Sequence, residues 1–93
     1  MPILSIFFGI VIRMWHDDHP PPHIHVEYQG FEALVEIKTG QVSKGKLPVK
    51  VAAIVKEWCH NHQQELLANW QKAQSFEPLE RIRGADYDEA AIC

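Results

Sequence analysis

His23-Ile24-His25-Val26-Glu27-Tyr28-Gln29-Gly30-Phe31-Glu32-Ala33-Leu34-Val35-Glu36-Ile37 is the stretch whose reading decides the fold. Apolar and polar residues alternate on both sides of Gln29-Gly30, which is the period of a strand that is buried on one face only. If Gln29 and Gly30 form a two-residue hairpin loop, register follows by counting. Tyr28 then opposes Phe31, Val26 opposes Ala33 and Ile24 opposes Val35, giving one apolar face for a helix to cover. The alternate residues pair on the other side as Glu27 with Glu32, His25 with Leu34 and His23 with Glu36.

Upstream, residues 9–15 form a third run rich in β-branched and aromatic residues, separated from the hairpin by His16-Asp17-Asp18-His19-Pro20-Pro21-Pro22. Ile10, Ile12 and Met14 are in phase with the core, so Arg13 and Trp15 share the open face with the histidines. The opening run, residues 3–12, is apolar apart from Ser5 and Gly9 and reads as a buried strand. It is too short to span a bilayer and has no basic residue ahead of it and no small-residue cleavage site. A cleaved signal peptide is the remote alternative. Downstream, Lys38-Thr39-Gly40 makes a turn and residues 41–43 add a short fourth strand before Gly45.

After Leu47 the period changes to about 3.6. Pro48 suits a first helical turn, and Val51, Val55, Trp58, His62, Leu66 and Trp70 fall on one stripe, with Ile54 and Leu67 beside it. One helix of about seven turns is the simplest reading; a break at Asn61 into two helices is the alternative, with no Gly or Pro to enforce it. Pro78 excludes helix beyond the Phe76 region, and residues 79–83 read as a last short strand or an extended arm. The predicted fold is α+β: a three- to four-stranded antiparallel β-meander packed on one long C-terminal α-helix. Residues 1–83 make a single domain, and residues 84–93, with Asp86, Asp88 and Glu89, an acidic mobile tail.

A chain of 93 residues with 46% hydrophobic and 23% charged residues is one small globular unit with a thin core and no room for a deep enclosed cavity. Its formal charge of -3 argues against coating nucleic acid by net charge. The charge is unevenly placed, however: residues 37–56 hold five lysines and no Asp or Glu. Lys44, Lys46 and Lys50 therefore lead into a helix N-terminus, where a phosphate or carboxylate can be received. The alternative is a solvated fringe that keeps an edge strand soluble. The two cysteines, Cys59 and Cys93, suggest no disulfide framework and a reducing, cytoplasmic setting.

His23 and His25 in an H-x-H on a strand point the same way, about 6.5–7 Å apart at Cα, close enough to share a metal or an oxyanion. Glu36 and Glu27 lie beside them, and Asp17, Asp18 and His19 lie in the loop before them. Three readings stay open. As acid and base, His23 and His25 would act with Arg13 or Lys46 on RNA, with no cofactor required. As metal ligands, His23, His25 and a carboxylate from Glu36 or Asp18 would hold Zn or a similar divalent ion. As a solvated face, the histidines would pair with glutamates, and Trp15, Arg13 and Leu34 would anchor a partner protein. The opposed Glu27 and Glu32 repel unless a cation lies between them. His16, His60 and Cys59 read as exposed or partly packed, and His62, within the apolar stripe, as a hydrogen-bonded core histidine.

Phe7-Phe8-Gly9-Ile10, Ile12-Arg13-Met14, Asp18-His19 and Pro21-Pro22-His23-Ile24-His25-Val26, followed by Gly45-Lys46-Leu47-Pro48, Glu57-Trp58, His62 and Leu66-Leu67-Ala68-Asn69-Trp70, resemble a family of small bacterial proteins called domain of unknown function 4160. The likeness runs from the N-terminus to about Ile82; Ile24 stands where an aromatic is common, and one proline is extra. The resemblance implies a bacterial cytoplasmic protein, and the short opening run gives no reason to expect membrane association. It also implies a partner encoded by a neighbouring gene, in a compact two-gene unit of the toxin and antitoxin kind; the expectation of RNA as a target comes from the histidine face and not from the resemblance. It supplies no catalytic residue, and a homo-oligomer stays open.

Overall fold

The computed structural model describes residues 2–16 and 18–87. Strands β1 (Ile3–Phe7), β2 (Ile10–Arg13), β3 (His23–Tyr28), β4 (Phe31–Glu36) and β5 (Val42–Gly45) form one antiparallel meander in the order β1-β2-β3-β4-β5. Helices α1 (Val49–Asn61) and α2 (Gln63–Gln74) follow. The α+β class and the meander agree with the sequence reading, and the strand and helix counts correct it.

The β3–β4 hairpin has the register that counting gives: His23 opposes Glu36, Ile24 Val35, His25 Leu34, Val26 Ala33, Glu27 Glu32 and Tyr28 Phe31. Gln29 and Gly30 both take positive φ, 44° and 86°, as the tight hairpin turn requires. At the open end of the apolar face, Phe31 is exposed and Tyr28 only partly covered.

Residues 3–12 are not one strand. Phe8 and Gly9, at φ 52° and 76°, turn the chain between β1 and β2. A phenylalanine in the left-handed region is rare, which is why the sequence signals the turn weakly. β5 is the expected short fourth strand, now fifth, and it approaches β4 so closely that a Cβ at Gly45 would overlap the Glu32 carbonyl.

The helical stretch divides at His62, which takes φ -118° and ψ 27°. The cause is a side chain entering the ladder. The Gln63 amide donates to the Cys59 carbonyl at 3.3 Å and to the Ile37 carbonyl, just past β4, at 2.6 Å. The apolar stripe survives the break: Val51, Val55, Trp58 and Cys59 of α1 and Leu66, Trp70 and Ala73 of α2 are buried. They share one core with Leu4, Phe7, Ile10, Ile12, Met14, Ile24, Val26 and Val35 of the sheet side. Cys59 is thus fully buried, not exposed or partly packed, and burial pushes its thiol up to about 12.

Residues 79–83 form an arm and no strand. Asn69, buried on α2, clamps Glu80 by donating to its carbonyl at 2.9 Å and accepting from its N–H at 2.8 Å. Trp58 Nε1 donates to the Arg83 carbonyl, and the Ile82 N–H to that of Leu4. Gly84 is buried, with no space for a Cβ beside Phe7, and Ala85 packs against the core. Residues 88–93, the end of the acidic segment, lie outside the described residues, as does Asp17.

Candidate functional site

The face of the sheet turned away from the helices carries Arg13, His25, His23, Glu27, Glu32, Leu34, Glu36 and Lys44, placed there by the same alternation that buries their neighbours. Its expected repulsion between Glu27 and Glu32 is relieved by Arg13, whose Nε lies 2.7 Å from Glu27 Oε2 as an ion pair without hydrogen-bond alignment. Arg13 is thus paired with Glu27 on β3, while it stands directly across from His25 and lines a concavity with it.

The histidines find their partner in the loop. Asp18 Oδ2 lies 2.9 Å from His23 Nε2 and 3.0 Å from His25 Nε2, so both imidazoles aim one nitrogen at a single carboxylate oxygen. Of the four metal candidates, Asp18, His23 and His25 converge with one donor atom each within 4.8 Å of one another. Glu36 stays beside His23 as its cross-strand neighbour, outside that triple. His25 hydrogen-bonds to this aspartate and His23 Nε2 faces it, rather than either pairing with the glutamates.

The N-terminal part of the loop is fastened twice. Gln74 of α2 donates its amide to the Asp18 carbonyl at 3.0 Å, and His16 Nε2 donates to the Glu77 carbonyl at 3.0 Å. The Pro20–Pro21 peptide is cis. The His19 N–H donates to Asp18 Oδ1 at 2.9 Å. Side-chain exposure is 21% at Asp18, 11% at His23 and 29% at His25, so the group is sheltered but reachable. Burial works to raise the Asp18 carboxyl; the His25 hydrogen bond, the His19 N–H and the charges of His23 and His25 outweigh it and hold the carboxyl below its usual 3.8.

The orientation of His23 fixes the tautomer of its neutral ring. Its Nδ1 lies 2.9 Å from the Pro21 carbonyl, which can only accept, so Nδ1 carries the hydrogen. In the neutral ring Nε2 is then a bare lone pair pointing at a carboxylate oxygen. Two acceptors at 2.9 Å repel, and only a proton or a cation between them turns the contact favourable. A backbone carbonyl that fixes the far nitrogen of an imidazole is also the usual support of a metal-ligating histidine. The Trp70 ring of α2 lies 5.3 Å from that of His23, and Trp15 meets His25 edge-on at 5.6 Å.

Two open concavities adjoin the cluster. One, of about 290 Å³, is lined by Arg13, Trp15, His25, Glu27, Glu32 and Lys44. The other, of about 350 Å³, is lined by Asp18, Pro21, His23, Glu36, Ser43 and Lys44. They meet along Leu34 and Lys44, which line both. Lys46 and Lys50 line neither. His62, as expected, is buried, with Nδ1 2.6 Å from Glu65 Oε1. The sequence reading missed the Pro21 carbonyl, Trp70 and Gln74, for which no local signal exists.

A family model described as Domain of unknown function (DUF4160) matches residues 9–71, a shorter span than the likeness to about Ile82. No curated protein and no solved structure matches.

Proposed function

The chain belongs to that family, whose description names no activity, and from the geometry of its own residues we propose that Asp18, His23 and His25 bind a divalent first-row metal ion. The observation that supports this is the His23 lone pair held against the Asp18 carboxylate by the Pro21 carbonyl. Two imidazoles and one carboxylate suit Zn, Fe(II) or Mn, and three protein ligands leave open positions for a substrate or water. Glu36, outside the triple, is not a ligand in this reading. Calorimetric titration with Zn at neutral pH tests it. Binding that is lost in Asp18→Ala and in His23→Ala supports the site; no heat above buffer overturns it.

A second reading is favoured by the Asp18–His25 hydrogen bond, which orients the imidazole as a base is oriented by a carboxylate. Here His23 and His25 act as acid and base on RNA, with Lys44 facing the phosphate, as part of a bacterial two-gene system. A small protein from the neighbouring gene would cover the exposed Trp15 and the half-buried Leu34. No helix among the described residues is long and apolar enough to cross a membrane. RNA cleavage that persists in a chelator, with a bell-shaped pH dependence, supports this reading over the first. Cleavage lost in the chelator and restored by Zn supports the metal.

A further inference from the structure

Resting on the metal reading, we infer that the ion and Lys44 together receive the phosphoryl group of a phosphodiester, and that Glu36 activates the ion-bound water that hydrolyses it. Three observations carry this. First, Lys44 lines both concavities beside the cluster and is in none of the ion pairs found among the described residues, so its charge is available to an anion. Second, Glu36 is the cross-strand neighbour of His23 and shares a concavity with Asp18, His23 and Lys44, yet it lies outside the donor triple. That leaves a carboxylate beside the ion with no ligand role. Third, the two concavities open on either side of Leu34, giving space for a substituent on each side of a central phosphorus, as a diester has and a monoester lacks.

Charge makes anion binding conditional on the ion. Asp18 and Glu36 exceed Lys44 by one negative charge in the concavity that holds the donor triple, and a divalent cation reverses that sign. Phosphate and metal should therefore bind with reciprocal coupling, each tightening the other. The reaction balances without a further reagent. Glu36 takes one proton from the ion-bound water, the water oxygen bonds to phosphorus, and one ester P–O bond breaks. Glu36 returns the proton to the departing alkoxide, leaving a phosphate monoester and an alcohol.

The test uses the full chain loaded with Zn, with bis(p-nitrophenyl) phosphate, p-nitrophenyl phosphate and p-nitrophenyl acetate as substrates, and inorganic phosphate as a binding probe. The expected result is diester cleavage that exceeds monoester cleavage, is abolished by a chelator, and is lowered roughly 100-fold or more in kcat by Glu36→Gln. Lys44→Ala should raise KM about tenfold, and both variants should bind Zn like the parent, which also shows that they are folded. Phosphate should tighten Zn binding in the parent and not in Lys44→Ala. Zn binding without diester cleavage, cleavage of the acetate alone, or full activity in Glu36→Gln overturns the inference and leaves the metal site standing. Absence of Zn binding overturns both.

Discussion

The two faces of the β3–β4 hairpin are made of alternate residues of the same two strands, and they are put to opposite uses. Toward the helices, Ile24, Val26, Ala33 and Val35 are buried in a core that Trp58 and Leu66 complete. Toward the open side, His23, His25 and Glu36 stand in register, and the loop that carries Asp18 meets the two histidines. The first face derives its energy from area removed from water, and the second derives its geometry from the first. Register binds them together, because a slip of one residue would bury the histidines and expose Ile24 and Val26. The site is thus specified by core packing more than by any bond within it.

That comparison fails first if the two faces respond alike to truncation. Trp58→Ala should cost about 3–5 kcal/mol by loss of a buried indole and its bond to the Arg83 carbonyl. His25→Ala should cost under about 1 kcal/mol. Denaturant unfolding of both variants measures the contrast, and equal losses would mean that the open face bears structural weight.

Metal sharpens it. Zn at about a hundredfold over its dissociation constant should add about 2.7 kcal/mol to the stability of the parent. None of that gain should appear in His23→Ala, and the gain should shrink as pH falls and protons compete for the imidazoles. A thermal melt with and without Zn at pH 7.5 and pH 5.5 reads this directly.

A smaller effect comes from Asp18 alone. Its carboxyl is held below 3.8 in the folded state, so the ionised group stabilises the fold above that pH, and the contribution disappears as pH falls through the folded value. The stability gap between the parent and Asp18→Asn, measured by denaturation without metal, should therefore be present at pH 6 and close under strong acid. A gap that widens on acidification would reverse the sign and refute the assignment.

The smallest effect lies away from both faces. Lys72 Nζ is 3.0 Å from Glu80 Oε1, and Glu80 is largely exposed, so Lys72→Ala should change stability by no more than about 0.5 kcal/mol. Asn69→Ala, which unclamps the Glu80 backbone beside it, should cost more. If the order were inverted, the arm would be held by charge rather than by the buried amide.

The hairpin register was legible because alternation and the Gln29-Gly30 turn are both local signals. The turn at Phe8-Gly9 was not, since a phenylalanine with positive φ carries no favourable propensity and apolar residues continue on both sides. The break at His62 was hidden for a different reason: its cause is the Gln63 amide reaching the Ile37 carbonyl, a partner 26 residues away. At the site, the pairing of His23 with His25 followed from H-x-H. The choice of Asp18 over Glu36 did not, because it depends on how the proline loop folds back over the strand. Gly45, noticed only as a boundary, is needed where β5 comes up against the Glu32 carbonyl.

The tether from Gln74 to the Asp18 carbonyl makes the site a late product of synthesis. All three donors are synthesised within the first 25 residues, yet the side chain that holds their loop is added some 50 residues afterwards. A nascent chain ending within α1 would carry the ligands without the fastening that sets the aspartate. Capture of an ion should then coincide with docking of the second helix, so that a truncated product stays unloaded. Released chains ending at residue 62, compared with the full chain for Zn uptake, would show whether loading needs that helix.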